Sequence, residues 1–125
     1  AITLSDGRSA GSNVWPAVIH DTATGRLIYE ALPVKGRACR WGREIYFTVP
    51  VDTKLEAEAS EVVSMGDLGY WPTGRAFCIF FGQTPASMWG EIRAASAVNV
   101  FGRVESGFDR LDQVSEGAEI IVEKA

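Results

Sequence analysis

Gly66-Asp67-Leu68-Gly69-Tyr70-Trp71-Pro72-Thr73-Gly74-Arg75-Ala76-Phe77-Cys78-Ile79-Phe80-Phe81 is the stretch on which the fold turns. Asp67 to Trp71 and Ala76 to Phe81 read as strands, joined by the turn residues Pro72, Thr73 and Gly74. Phe77 to Phe81 is apolar without a break, so the second strand is apolar on both faces. Such a strand has to be covered on both sides, as in a barrel whose outer face is capped by a helix or a long loop.

Working outward, the other segments are short and punctuated by single glycines. Val14 to Ile19, interrupted by Pro16, reads as an edge strand or a strand beginning, because proline donates nothing to a ladder. Asp21 or Thr22 offers an N-cap to a helix over Ala23 to Leu32, with Ala23, Leu27, Ile28, Ala31 and Leu32 at helical spacing and Pro33 as terminator. Gly25 weakens that helix. Val34 to Trp41 and Glu44 to Val49 read as a hairpin about Gly42, with Ile45 and Phe47 on one face, Tyr46 and Thr48 on the other, and Pro50 closing it. Asp52 to Glu61, acidic and alanine-rich, reads as an exposed loop or short helical turn that covers nothing essential. Val98 to Val104 is a further strand, Ser106 caps a short helix bearing Phe108, Leu111 and Val114, and Ala118 to Val122 closes the chain as a strand. Roughly eight strands and two helices favour a closed β barrel with helices plugging its ends, and a two-sheet sandwich is the alternative.

Composition bounds the function. The 125 residues suit one domain with one core. A net charge of −4 supplies no positive field for nucleic acid or an anionic membrane surface, so neither is expected as a partner. No apolar run approaches the roughly 20 residues of a transmembrane helix. Ala1 to Gly11 lacks the pattern of a secretory leader, and the expected compartment is the cytoplasm. Cys39 and Cys78 lie far apart without C-x-x-C spacing, which suggests buried thiols in separate strands, not a zinc site or a disulfide.

Tests for catalytic motifs return little. His20 is the only histidine and reads as a strand-end residue beside a helix cap. Ser64-Met65-Gly66 has Val62 where a nucleophile elbow needs glycine, so no hydrolase triad is encoded. Scattered carboxylates with one histidine indicate no metal site, and the absence of both glycine-rich phosphate motifs leaves no cofactor implied. What stands out is the concentration of rings: Trp41, Tyr46, Phe47, Tyr70, Trp71, Phe77, Phe80, Phe81 and Trp89. Amphipathic rings beside arginines are a common lining for a small-ligand or peptide groove.

Gly66 to Pro72 followed by Gly74 to Pro85 resembles the signature of an uncharacterised family of cyclophilin-like domains. Arg37 to Gly42, Glu44 to Phe47 and Val98 to Val104 extend the resemblance over about residues 20 to 125. Gly74 to Phe80 is similar to the G-S-Q-F-F-I-C strand of true cyclophilins, and Phe101 to Val104 to their F-G-K-V strand. The resemblance implies their eight-stranded barrel with two capping helices. It does not by itself carry their activity.

Prolyl isomerases of that kind lower a rotational barrier of roughly 18–20 kcal/mol by setting an arginine against the proline amide. The counterpart here is Arg40, but no Q-G-G-D element follows it. The resemblance puts Cys78 where their pocket phenylalanine stands, Ala76 at their glutamine and Val98 at their histidine; Trp89 resembles the pocket tryptophan, at a longer distance from the Phe101 strand. Three readings stay open. The first is a binding module for a small molecule or peptide at a barrel mouth, with Trp41, Tyr46, Tyr70, Trp71, Phe77, Phe81 and Trp89 as apolar lining and Arg40, Arg75 and Arg93 as polar anchors. The second is a divergent prolyl isomerase using Arg40 on a proline-containing peptide. The third is a subunit or accessory domain of a larger enzyme. Arg37, Arg43 and Arg103 read as solvated strand charges, and the pocket's dimensions depend on how Pro85 to Ala97 folds.

Overall fold

In the computed structural model, which describes residues 1–6 and 13–125, ten strands and two helices follow one another along the chain. The strands are β1 (Ile2–Ser5), β2 (Val14–Ile19), β3 (Val34–Arg37), β4 (Cys39–Arg40), β5 (Glu44–Thr48), β6 (Ser60–Val63), β7 (Asp67–Trp71), β8 (Ala76–Phe80), β9 (Ile92–Val104) and β10 (Glu119–Lys124). The helices are α1 (Ala23–Ala31) and α2 (Phe108–Leu111). The leader reading of Ala1 to Gly11 falls in part outside the described residues; of that segment, Ile2–Ser5 is a strand between β10 and β2.

The strand order is β3-β10-β1-β2-β9-β7-β8-β5-β4, with β6 pairing on β9. Its two ends, β3 and β4, are consecutive in the chain and joined by buried Ala38. The ends therefore meet covalently, and Gly36 of β3 lies so close to Phe47 of β5 that a Cβ there would sit 2.8 Å from the ring. No hydrogen-bonded ladder joins β3 to β4 or β5 among the described residues. The fold is mostly β with two helices as expected, whereas the sheet has ten strands and hydrogen bonds do not close it along that seam, so the closed eight-stranded barrel is not borne out. The single hairpin expected from Val34 to Val49 divides at Ala38 for the same reason. The Ala38 N–H donates to the Ala118 carbonyl and its own carbonyl accepts from Gly117, so the first arm pairs with β10 and only β4 pairs with β5.

The central strand β8 explains its own composition. Phe77, Ile79 and, just beyond the strand, Phe81 enter the main core, where Phe77 stacks on Phe47 and meets Phe101 edge-on, both at 5.1 Å between centroids. Ala76, Cys78 and Phe80 face the other way, into a second cluster with Val63, Ile92, Ala94 and Val98. The cover on that face is neither helix nor loop. It is a two-stranded ribbon of β6 with the first half of β9, which begins at Ile92, six residues before the expected Val98.

Other expectations shift in detail. Thr22 caps α1, its hydroxyl accepting from the Gly25 N–H at 2.9 Å. The buried face of that helix is Thr24, Gly25 and Ile28, whereas Leu27 is exposed. Gly25 is needed there, because a Cβ would meet the His20 carbonyl at 2.5 Å. The cap of α2 is Gly107 in the left-handed region (φ 82°), not Ser106. The acidic segment after Pro50 is not idle either. Buried Asn99 donates to the Lys54 carbonyl at 2.8 Å and accepts from the Glu56 N–H at 2.7 Å, and the Glu56 carboxylate accepts from the backbone and hydroxyl of Thr24. That polar knot pins the segment to α1, and its last residues form β6.

Candidate functional site

Of the ten residues singled out, the fold brings three together. Trp41 follows β4, Tyr46 lies on the outer face of β5 and Trp71 ends β7; with Glu44, Ala94, Ala95 and Val98 they line a cavity of about 210 Å³ between the outer sheet face and the β6–β9 ribbon. The three rings are half-buried. The Trp71 ring is fixed on both sides: its Nε1–H donates to Ser96 Oγ at 2.6 Å, and a Cβ on Gly74 would approach it to 2.9 Å. Trp41 is set by paired backbone bonds with Glu44 across the Gly42 turn. Small side chains at Ala94 and Ala95 leave the space that these rings enclose.

Glu44 is the residue that sequence reasoning missed. It is only 6% exposed, and burial pushes its carboxyl up to about 7, against an ordinary value of 4.5, with a hydrogen bond from the Cys78 thiol offsetting part of that rise. Burial likewise pushes the Cys78 thiol well above its usual range. The Tyr46 phenol is also raised, by burial first and then by the charges of Cys39, Glu116 and Glu44. The available signal was strand alternation, since Glu44 shares a face with Tyr46, and Tyr46 is directly opposite Cys78 in register.

The other candidates lie elsewhere. Tyr70 and Phe77 are fully buried in the main core, Tyr70 donating its hydroxyl to the Val51 carbonyl. Phe81 is buried beneath the Arg40 guanidinium, 5.2 Å from the ring centroid. Arg75 is exposed at the left-handed turn before β8 (φ 47°), and Arg93 on β9 is paired with Glu91 and Glu61. Trp89 is completely exposed on the loop before β9, far from serving as a wall. A wider hollow of about 770 Å³ along Arg43, Met65, Gln83 and Glu91 is open to solvent and contains no aromatic ring.

Arg40 is a structural tie. Its Nη1 donates to the carbonyls of Asp112 and Val114 at 3.0 and 2.8 Å, its Nε and Nη2 to the Gly42 carbonyl, and Nη2 also to the Asp112 carboxylate at 2.8 Å. To meet a proline amide it would have to break these bonds. We expect Arg40→Ala to cost about 1–3 kcal/mol of stability, because it strands the carbonyls after α2. Urea denaturation measures it, and an unchanged midpoint contradicts the tie.

The positions that the isomerase resemblance singles out converge on this same place. Ala76, Cys78 and Val98 belong to one buried cluster, with Val98 also lining the cavity and Cys78 beside Glu44. Among the described residues no group of three or more metal-ligating side chains occurs, and no helix is long and apolar enough to cross a membrane.

A mostly β sheet wrapped on itself, with two short helices and an outer face roofed by a ribbon, defines the class as cyclophilin-like. The family model described as cyclophilin-like matches residues 9–123, and the chain belongs to that family. It is similar to the solution structure of the hypothetical protein AF2241 from Archaeoglobus fulgidus, at 39% identity and a TM-score of 0.74 over 99% of this chain and 95% of that one. The structure of McbB in complex with tryptophan shares the fold at 11% identity and a TM-score of 0.72, covering 99% of this chain but 44% of that chain. No curated protein matches.

Proposed function

We propose that this cyclophilin-like domain binds a small ligand in the cavity enclosed by Trp41, Tyr46 and Trp71. The observation that carries the reading is their convergence on a buried carboxyl, Glu44, in a cavity that is apolar on its remaining walls. Mostly apolar walls with one placed polar group are how small-molecule sites achieve affinity and orientation together. At about 210 Å³ the space is below the roughly 300–1,000 Å³ of drug-sized sites, so the occupant is a single ring or a short branched chain. The polar anchor is a carboxyl and not an arginine, since Arg40 and Arg93 are engaged within the protein. McbB, whose structure was solved in complex with tryptophan, shares this fold over 44% of its own chain, which makes tryptophan a reasonable probe.

The four tryptophan side chains make the test direct. In an NMR titration with single-ring fragments and with tryptophan, the indole N–H signals of Trp41 and Trp71 should shift saturably while those of Trp15 and Trp89 stay still. Trp71→Ala should abolish the response. Shifts confined to Trp89 or to the hollow around Met65, or no saturable shift with any fragment, overturn the reading.

A further inference from the structure

Building on that ligand-site reading, we infer that the Trp41–Tyr46–Trp71 cavity selects a cationic amine carried on a small apolar body, with Glu44 as counter-ion and the rings as cation-binding walls. Among the described residues no ion pair reaches Glu44, although it is buried. The side-chain donor beside it is the Cys78 thiol, which is weak and also reaches the Ala76 carbonyl at 3.8 Å, so most of the carboxyl's accepting capacity is unused. A buried carboxylate without a cation is costly, and an incoming ammonium supplies the missing charge. The rings reinforce this choice, because two tryptophans and a tyrosine line the cavity and such side chains favour a cation over a neutral group. An anionic ligand meets repulsion instead.

The groups around Glu44 leave it as the counter-ion. Cys78 faces it from β8, and its thiol is pushed further toward the protonated form by burial and by Glu44 itself. Tyr46 adjoins it on β5 with a raised phenol, and so stays neutral. On the ribbon, Arg93 is tied to Glu61 and Glu91. Arg43, next in the chain, reaches toward Asp112 at 3.8 Å, and Arg40 is bonded to Asp112 and to backbone carbonyls.

Binding of a cation should therefore be coupled to loss of a proton from Glu44. The probe is benzyltrimethylammonium, whose charge is independent of pH, beside the uncharged 2-phenylethanol, both followed by the Trp41 and Trp71 indole signals. For the natural chain we expect benzyltrimethylammonium affinity to rise about tenfold between pH 6 and pH 8, with the alcohol unchanged. Glu44→Gln should flatten that profile and remove the preference for the cation. The series on the natural chain needs no variant, so it decides even if the substitution impairs folding. If the alcohol binds through Trp71 and the cation binds no better at pH 8, or its affinity is flat or falls with pH, the ammonium inference is overturned and the ligand site stands. If neither probe shifts Trp41 or Trp71, both fall.

Discussion

Phe77→Ala is expected to lose roughly 3–5 kcal/mol of folding stability. Phe77 is fully buried, stacks on Phe47 and takes Phe101 edge-on, so truncation removes the middle member of an aromatic row and leaves a void that the surrounding strands cannot close. Against a typical total of roughly 5–15 kcal/mol, that loss takes a large share of the molecule's stability. Trp89→Ala is the matched control. Its ring is completely exposed, and the expected change is within about 0.5 kcal/mol. Guanidinium denaturation of both variants measures the contrast; a loss below about 1 kcal/mol for Phe77→Ala contradicts the packing described here.

The second large effect is a stability that falls as pH rises. The Glu44 carboxyl stands at about 7 in the folded protein against 4.5 ordinarily, so between those values the folded state holds a proton that the unfolded state has released. Its contribution is then fully present below about 4.5 and is lost as pH climbs through 7. The full span corresponds to about 3 kcal/mol. Glu44→Gln keeps an oxygen to accept from Cys78 but cannot ionise. The difference between the two chains' stabilities should therefore grow in favour of the variant from pH 5 to pH 8, which urea midpoints at several pH values would record. A difference that stays constant over that range refutes the assignment. Because a bound cation would stabilise the ionised carboxylate, a saturating amine should narrow the same difference at pH 8.

How far the sequence could be read differs from strand to strand. The continuous apolar character of Phe77 to Phe81 required cover on both faces, and both covers exist. The identity of the outer cover was not legible. Ser60–Val63 is half polar, and Arg93 to Ala97 has neither strand alternation nor β-branched residues, so a ribbon held together mainly by its pairing reads locally as loop. The aromatic candidates divide for a similar reason. Tyr70 and Trp71 are neighbours in sequence, but period-two alternation sends one into the core and the other to the cavity wall, and only the strands packed above and below decide which.

Arg40 shows the same limit. Its likeness to the isomerase arginine and its place beside Trp41 suggested a pocket arginine, whereas the carbonyls that hold it from across the fold belong to the turn after α2, about seventy residues later in the chain.

By itself the sequence determined the apolar centre at β8 and a set of seven candidate rings that includes Trp41, Tyr46 and Trp71, because these follow from local patterning and side-chain type, while the cyclophilin-like class was legible from the resemblance of its motifs. Tertiary structure alone decided that the sheet stays unpaired along the β3–β4 seam, that Arg40 is a brace, and that Glu44 is buried in the wall of the cavity lined by Trp41, Tyr46 and Trp71. A carboxyl's burial and charge state depend on which distant strands close over it, and nothing in the residues beside it in the chain sets those.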